Sequence, residues 1–176
     1  MKWQQLLVDL YRRLSGELEH VLAGLTIEEF HHRPAGDANP IGWLCWHATR
    51  GLDRTIGDVF QGEQLWIRDG WYARFGRKPD PNDTGYGHSF KEAGDFTAPD
   101  IETLLEYHRA VIDASIRYLE SLSEQDLDRE FPLSAHPGKT ITIGARIVGN
   151  LNDCLQHVGQ AAYVRGLLKG QGWLGR

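Results

Sequence analysis

The sequence predicts an all-α protein, an antiparallel four-helix bundle with a long connection between its second and third helices. Three observations predict it. Four long stretches carry apolar residues at three- and four-residue spacing, the period of a helix face. Each stretch offers one apolar stripe, which is marginal in water until it packs against another. Between the second and third stretches lie about 35 residues rich in aromatics, glycine and proline, a length uncommon in compact domains unless it is functional.

The first helix is carried by Trp3, Leu7, Leu10, Leu14, Leu18, Val21 and Leu25, and Thr26 follows as a cap or turn with Glu28 and Glu29 behind it. After the polar loop HHRPAGDANP, the second helix is expected to start near Pro40, with Asn39 as cap. Its stripe is Ile41, Leu44, Cys45, Ala48, Leu52, Ile56 and Val59, ending near Gly62. In the connection, LWIRDGWYARFG reads as one short aromatic helix and GRKPDPNDTGYGHSFKEAGD as loop. The third helix opens at Ala98-Pro99-Asp100 and presents Ile101, Leu104, Leu105, His108, Val111, Ile112, Ser115, Leu119 and Leu122. The stretch DREFPLSAHPGKTITIG suits a short extended piece. The fourth helix runs from near Thr142 to Lys169 with Ile147, Val148, Leu151, Leu155, Val158, Ala162 and Leu168, and Gly170 and Gly172 end it. No internal repeat or domain boundary interrupts the pattern, so residues 1–176 read as one domain.

Composition narrows the function classes. A chain of 176 residues can bury one sizeable core, and 41% apolar residues excludes disorder. A net charge of −5 without a basic block argues against binding a nucleic-acid backbone. No apolar run approaches the roughly 18 residues of a membrane span. The start, MKWQQLLVDLYRRL, has charges and no small-residue cleavage site, so no secretory leader is expected and the cytoplasm is the expected compartment. Cys45 and Cys154 sit in apolar surroundings without CxxC spacing and read as buried free thiols.

Asp153 and His157 lie four apart on the fourth helix, on one face. His47 lies on the second helix. If these helices pack side by side, two imidazoles and a carboxylate converge on one ion and leave coordination positions open. On spacing alone the polar line Arg146, Asn150, Asp153, His157, Gln160 is better read as a solvated face, because such pairs are common on helices. His108, on the apolar stripe of the third helix, reads as a core histidine bonded to a neighbour, with a ligand role as the rival. His20, His31, His32 and His136 read as surface residues. His88 is either a plain loop residue or one that reaches over the site. Trp43, Trp46, Trp66, Trp71, Tyr72, Phe75 and Tyr86 cluster unevenly around His47 and can build core or an aromatic pocket. Arg50 can meet an anionic substrate group or pair with Asp53 or Asp153. The candidate substrate-binding residues are thus Trp43, Arg50, Trp71, Tyr86 and His88.

Through PIGWLCWHATRGLDR, GEQLWIRDGWYARFG and QHVGQAAYVRGLL, the chain resembles the DinB-like superfamily, the group of mycothiol-dependent maleylpyruvate isomerase and the bacillithiol S-transferases. The resemblance spans the whole chain in helix order and loop placement. It implies a metal triad of His47, Asp153 and His157, binding nickel, zinc or iron. Relatives commonly have histidine or glutamate at the position of Asp153, so the shorter aspartate departs from their pattern. It also implies a homodimer and a small-molecule substrate. The leading reaction is thiol S-transfer or thiol-assisted isomerisation with a low-molecular-weight thiol. A metal-dependent hydrolase and a non-catalytic metal- or ligand-binding stress module are the alternatives.

Overall fold

The computed structural model describes residues 1–59, 62–133 and 138–170. Four long helices make the body: α1 (Trp3–Leu22), α3 (Ile41–Val59), α7 (Ile101–Ser121) and α8 (Ile143–Lys169). Short helices α2 (Ile27–His31), α4 (Leu65–Arg68), α5 (Trp71–Arg74) and α6 (Phe90–Gly94) lie in the connections. A 3-10 turn (Gln125–Asp128) and a small hairpin precede α8, with β1 (Glu130–Pro132) antiparallel to β2 (Thr140–Thr142). The all-α bundle expected from the sequence is the observed fold.

Each long helix packs against two others: α1 on α7 and α8, and α3 on α7 and α8. Cross-links give the directions. Gln4 reaches the Leu122 carbonyl and Glu19 pairs with Arg109, so α1 and α7 are antiparallel. His47 lies by Asp153 and Asp58 by Arg146, so α3 and α8 are antiparallel. Tyr11 lies beside Cys154 and Arg165 bonds the Val21 carbonyl, so α1 and α8 run in parallel. It follows that α3 and α7 also run in parallel. Two parallel neighbours need a connection that returns along the bundle, and this is what the long segment does.

That segment climbs α3. Its start is held by Asp53, which accepts from Leu65 N–H (2.7 Å) and Trp66 N–H (2.8 Å). Arg50 holds the next part through the carbonyls of Asp83 and Pro81. Thr84 reaches His47, and Ala98 N–H meets His31. His31 is therefore a half-buried acceptor edged against Phe30, not the surface residue expected. His20 and His32 are exposed, and His136 lies outside the described residues.

Local chemistry sets the ends. Thr26 caps α2 with Glu29 closing a capping box, and Ser89 and Glu92 do the same for α6, a helix inside the stretch expected to be loop. Asp100 caps α7 and Thr142 caps α8. The Pro40 carbonyl accepts the first helical bond of α3, from Leu44 N–H, so the cap position is Pro40 and not Asn39. The described part of the helix runs to Val59, and Gly62 is no longer helical. LWIRDGWYARFG forms two single turns because Gly70, at φ 70°, breaks it. Gly170 follows the end of α8, and Gly172 lies outside the described residues.

The core face of α8 differs from the expected stripe. Val148 and Leu155 are exposed, and Cys154, Ala161 and Val164 are buried instead. This helix is wedged between α1 and α3, and it buries polar Asn150 and Arg165 while leaving apolar residues outside, which blurs its periodicity. On α1, Val8 and Tyr11 join the core. Among the described residues no helix is long and apolar enough to cross a membrane.

Candidate metal centre

The polar line of α8 faces α3, and is not the solvated face that spacing favoured. Asn150 donates to Thr55 Oγ1 (2.8 Å), Arg146 pairs with Asp58 (3.5 Å), and Asp153 lies between two imidazoles. His157 Nε2 is 3.4 Å from Asp153 Oδ1, and His47 Nε2 is 3.9 Å from Asp153 Oδ2. One donor atom from each residue lies within 4.8 Å of the others. Ligands bonded at about 2.1 Å to a shared ion stand roughly 3–3.4 Å apart, so small side-chain shifts close the set around a cation.

Hydrogen bonds orient both rings. His47 Nδ1–H donates to the Thr84 carbonyl, and His157 Nδ1–H donates to Gln160 Oε1 (2.9 Å). Each ring thus turns its Nε2 lone pair toward Asp153, the orientation that an acceptor on the other ring nitrogen gives a metal-ligating histidine. Trp43 stacks on His47 at 4.7 Å and 12°, and meets His157 edge-on at 6.1 Å. Burial lowers the pKa of His47, with the Thr84 bond opposing in part. Burial also pulls on His157, but the bonds to Asp153 and Gln160 outweigh it and its pKa is raised. Burial pushes Asp153 up, yet His157, His47 and Arg146 hold it below its ordinary value. Two lone pairs and a carboxylate facing one another repel until a proton or cation joins them. The donor set therefore fits a divalent ion of borderline softness.

Asp153 is 44% exposed, so the set is open on one side. It opens to a cleft of ≈ 340 Å³ lined by His47, Asp153, Thr84, Tyr86, Arg54, Asp58 and Arg146. Gly51 lines its floor, where a Cβ would stand 3.0 Å from Asn150 Oδ1. A larger groove of ≈ 510 Å³ between α1 and α7 is lined by Arg12, Glu19 and Arg109 and has no such donor cluster among the described residues.

Of the candidate substrate residues, Tyr86 stands at the cleft and is 73% exposed. Trp43 backs the imidazoles. His88 sits behind them, where Nδ1 accepts from Trp43 Nε1 (3.2 Å) and the ring stacks on Trp46. Arg50 is not at the cleft: it is fully buried and bonded to Asp53, Tyr107, Gln64 and two carbonyls, because it holds the connection to α3. Trp71 is also elsewhere, packed on Tyr107 under Arg74. His108 is a core residue; Thr49 donates to the Cys45 carbonyl, so His108 Nδ1–H donates to Thr49 Oγ1 (2.9 Å). Both cysteines are free and buried, with the Cys45 thiol pushed up by burial to about 12. Arg54 and Asp58 were not singled out from the sequence, though their spacing from His47 through Gly51 keeps one helix face. The Thr84 carbonyl has no sequence signal, since any residue supplies one.

Among curated proteins none matches the chain. A crystal structure of a conserved protein from Enterococcus faecalis is similar, at 28% identity and TM-score 0.85, covering 97% of this chain and 99% of that one. The sequence profile of the DinB superfamily matches residues 10–161. With that match over most of its length, the chain belongs to the DinB superfamily.

Proposed function

We propose that this protein binds a divalent metal ion through His47, Asp153 and His157 and is an enzyme acting on a small molecule. The observation that carries this reading is the orientation of both imidazoles, each Nδ1 tied to a carbonyl oxygen and each Nε2 turned to one half-exposed carboxylate. Nickel, zinc and iron all suit such a donor set. When bound, the ion supplies Lewis acidity that lowers the pKa of a thiol or water at its open position. Thr84 and Gln160 hold the rings in the metal-binding tautomer. Trp43 covers the rear of both rings and keeps water from that side. The cleft admits the second reactant from the side of Tyr86.

The leading reaction class is thiol S-transfer or thiol-assisted isomerisation, which the family resemblance favours; a low-molecular-weight thiol is the expected co-substrate. Metal analysis of protein purified without an affinity tag tests the metal reading. Near-stoichiometric divalent metal is expected, lost on His157→Ala; wild-type protein that stays metal-free after supplementation overturns it. A panel of cellular thiols with a chromogenic electrophile tests the reaction. A rate above the metal-free control supports S-transfer, and no such rate leaves metal or ligand binding without turnover as the better reading.

A further inference from the structure

Arg146 is the unfilled guanidinium of the cleft. A guanidinium has five N–H donors. Arg50 shows what a filled one looks like here, with acceptors from Asp53, Tyr107, Gln64, Asp83 and Pro81. Arg146 has an ion-pair contact to Asp58 at 3.5 Å, and its buried Nε has no hydrogen-bond partner among the described residues. It is three-quarters buried against the same cleft wall as His47 and Asp153. The Asp58 carboxylate is shared, since Arg54 also approaches its Oδ2, at 3.6 Å. A buried guanidinium N–H without an acceptor is unfavourable until an oxygen atom completes it.

Charge points the same way. Two arginines face Asp58 and Asp153. A divalent ion on Asp153 would take that carboxylate's charge, and the cleft floor would become net positive. Low-dielectric walls focus such a field on a bound anion.

We infer that Arg146, with Arg54 and Asp58 beside it, is an oxyanion-recognition subsite, so that the molecule bound in this cleft is a small acid carrying a carboxylate or a phosphate. The inference rests on the metal reading for the identity of the neighbouring site, but the subsite is defined by Arg146 itself. The planar fork of arginine donates to either oxyanion in bidentate fashion.

Calorimetric titration of succinate, inorganic phosphate and neutral succinamide into metal-loaded and metal-free protein tests it. Wild type is expected to bind at least one of the two anions and to bind it at least tenfold tighter than succinamide; whichever anion wins identifies the class. Arg146→Gln should lose tenfold or more of that affinity, with an unchanged thermal melt. Asp58→Asn should tighten anion binding, an effect that misfolding does not produce. Anion binding unchanged in Arg146→Gln, or absent from wild type in both forms, overturns the subsite. If the protein takes up no metal yet metal-free wild type binds the anion and Arg146→Gln does not, the metal reading fails and the subsite stands.

Discussion

At the scale of single residues, what decides a role is how many of a polar group's bonds the protein itself fills. Arg50 on α3 and Arg146 on α8 are the same residue type, yet one is saturated by the connection and α7 and the other keeps an unpartnered Nε toward α3. The two classes of histidine divide in the same way. His47 and His157 spend Nδ1 on a carbonyl and leave Nε2 facing an acid, whereas His108 meets the Thr49 hydroxyl and sits in the core as a neutral ring. Burial, with Arg109 adding repulsion, pushes His108 down to about 4 from 6.5. The unfolded chain takes a proton at this ring near pH 6.5, and the folded chain does not until about 4. Between those values unfolding binds a proton, so the ring's contribution is complete above pH 6.5 and is lost as pH falls toward 4. At pH 5 the loss is about 2 kcal/mol. His108→Gln keeps a donor for Thr49 without titrating. Its urea-unfolding free energy should therefore drop less than wild type between pH 7.5 and 5, by about that amount. Parallel pH curves for the two proteins would show that His108 is not held neutral.

At the scale of elements, the geometry of the candidate metal site depends on a strap that has no regular structure. Residues Thr84 and Gly85 lie across His47 with Gly85 at φ 85°, a left-handed conformation that side chains resist. A Cβ there would meet His47 Nδ1 at 2.9 Å and Trp43 at 3.0 Å. Gly85→Ala should cost about 1–2 kcal/mol in stability. It should also displace the Thr84 carbonyl and weaken metal binding roughly 10–100-fold, the usual effect of losing a group that orients a metal-ligating histidine. Equilibrium dialysis with circular dichroism as a fold control measures both, and wild-type metal affinity in the variant would sink the claim. The elements that were legible in the sequence are those with a local cause: the stripe of α3, the Thr26 cap, and the starts of α7 at Asp100 and of α8 near Thr142. What was not legible depends on partners far along the chain. The core face of α8 is set by two neighbouring helices, and the strap's seat on His47 is a backbone contact 37 residues away.

At the scale of the molecule, the parallel pairing of α3 and α7 is what brings the strap to the site. A short turn after α3 would have reversed the chain and placed the next helix antiparallel to it; the return segment instead passes the whole of α3 and contributes Thr84 on the way. The candidate site residues on α3 and α8 were readable because helix period places them, but the carbonyl that orients His47 comes from this return. Its anchor is the Arg50–Asp53 pair, in which Asp53 Oδ2 also accepts from Tyr107 on α7 (2.7 Å). The pair thus joins α3, α7 and the connection at one buried point. Burial pushes the Asp53 pKa up against the pull of Arg50, so this aspartate depends on its partner to stay ionised. Breaking one side of a buried pair costs about 3–5 kcal/mol because the other charge is stranded, whereas replacing both with apolar residues is often neutral. Arg50→Met should therefore destabilise the protein by that amount. Arg50→Met with Asp53→Leu should recover part of the loss and no more, because the carbonyls of Asp83 and Pro81 and the N–H groups of Leu65 and Trp66 still lose their partners. The double variant should also bind metal more weakly than wild type, since the strap loses its anchor one residue from Thr84. Denaturant unfolding of the three proteins and metal dialysis of the double variant decide it: full recovery of both stability and metal affinity would mean that the connection holds its place without this anchor.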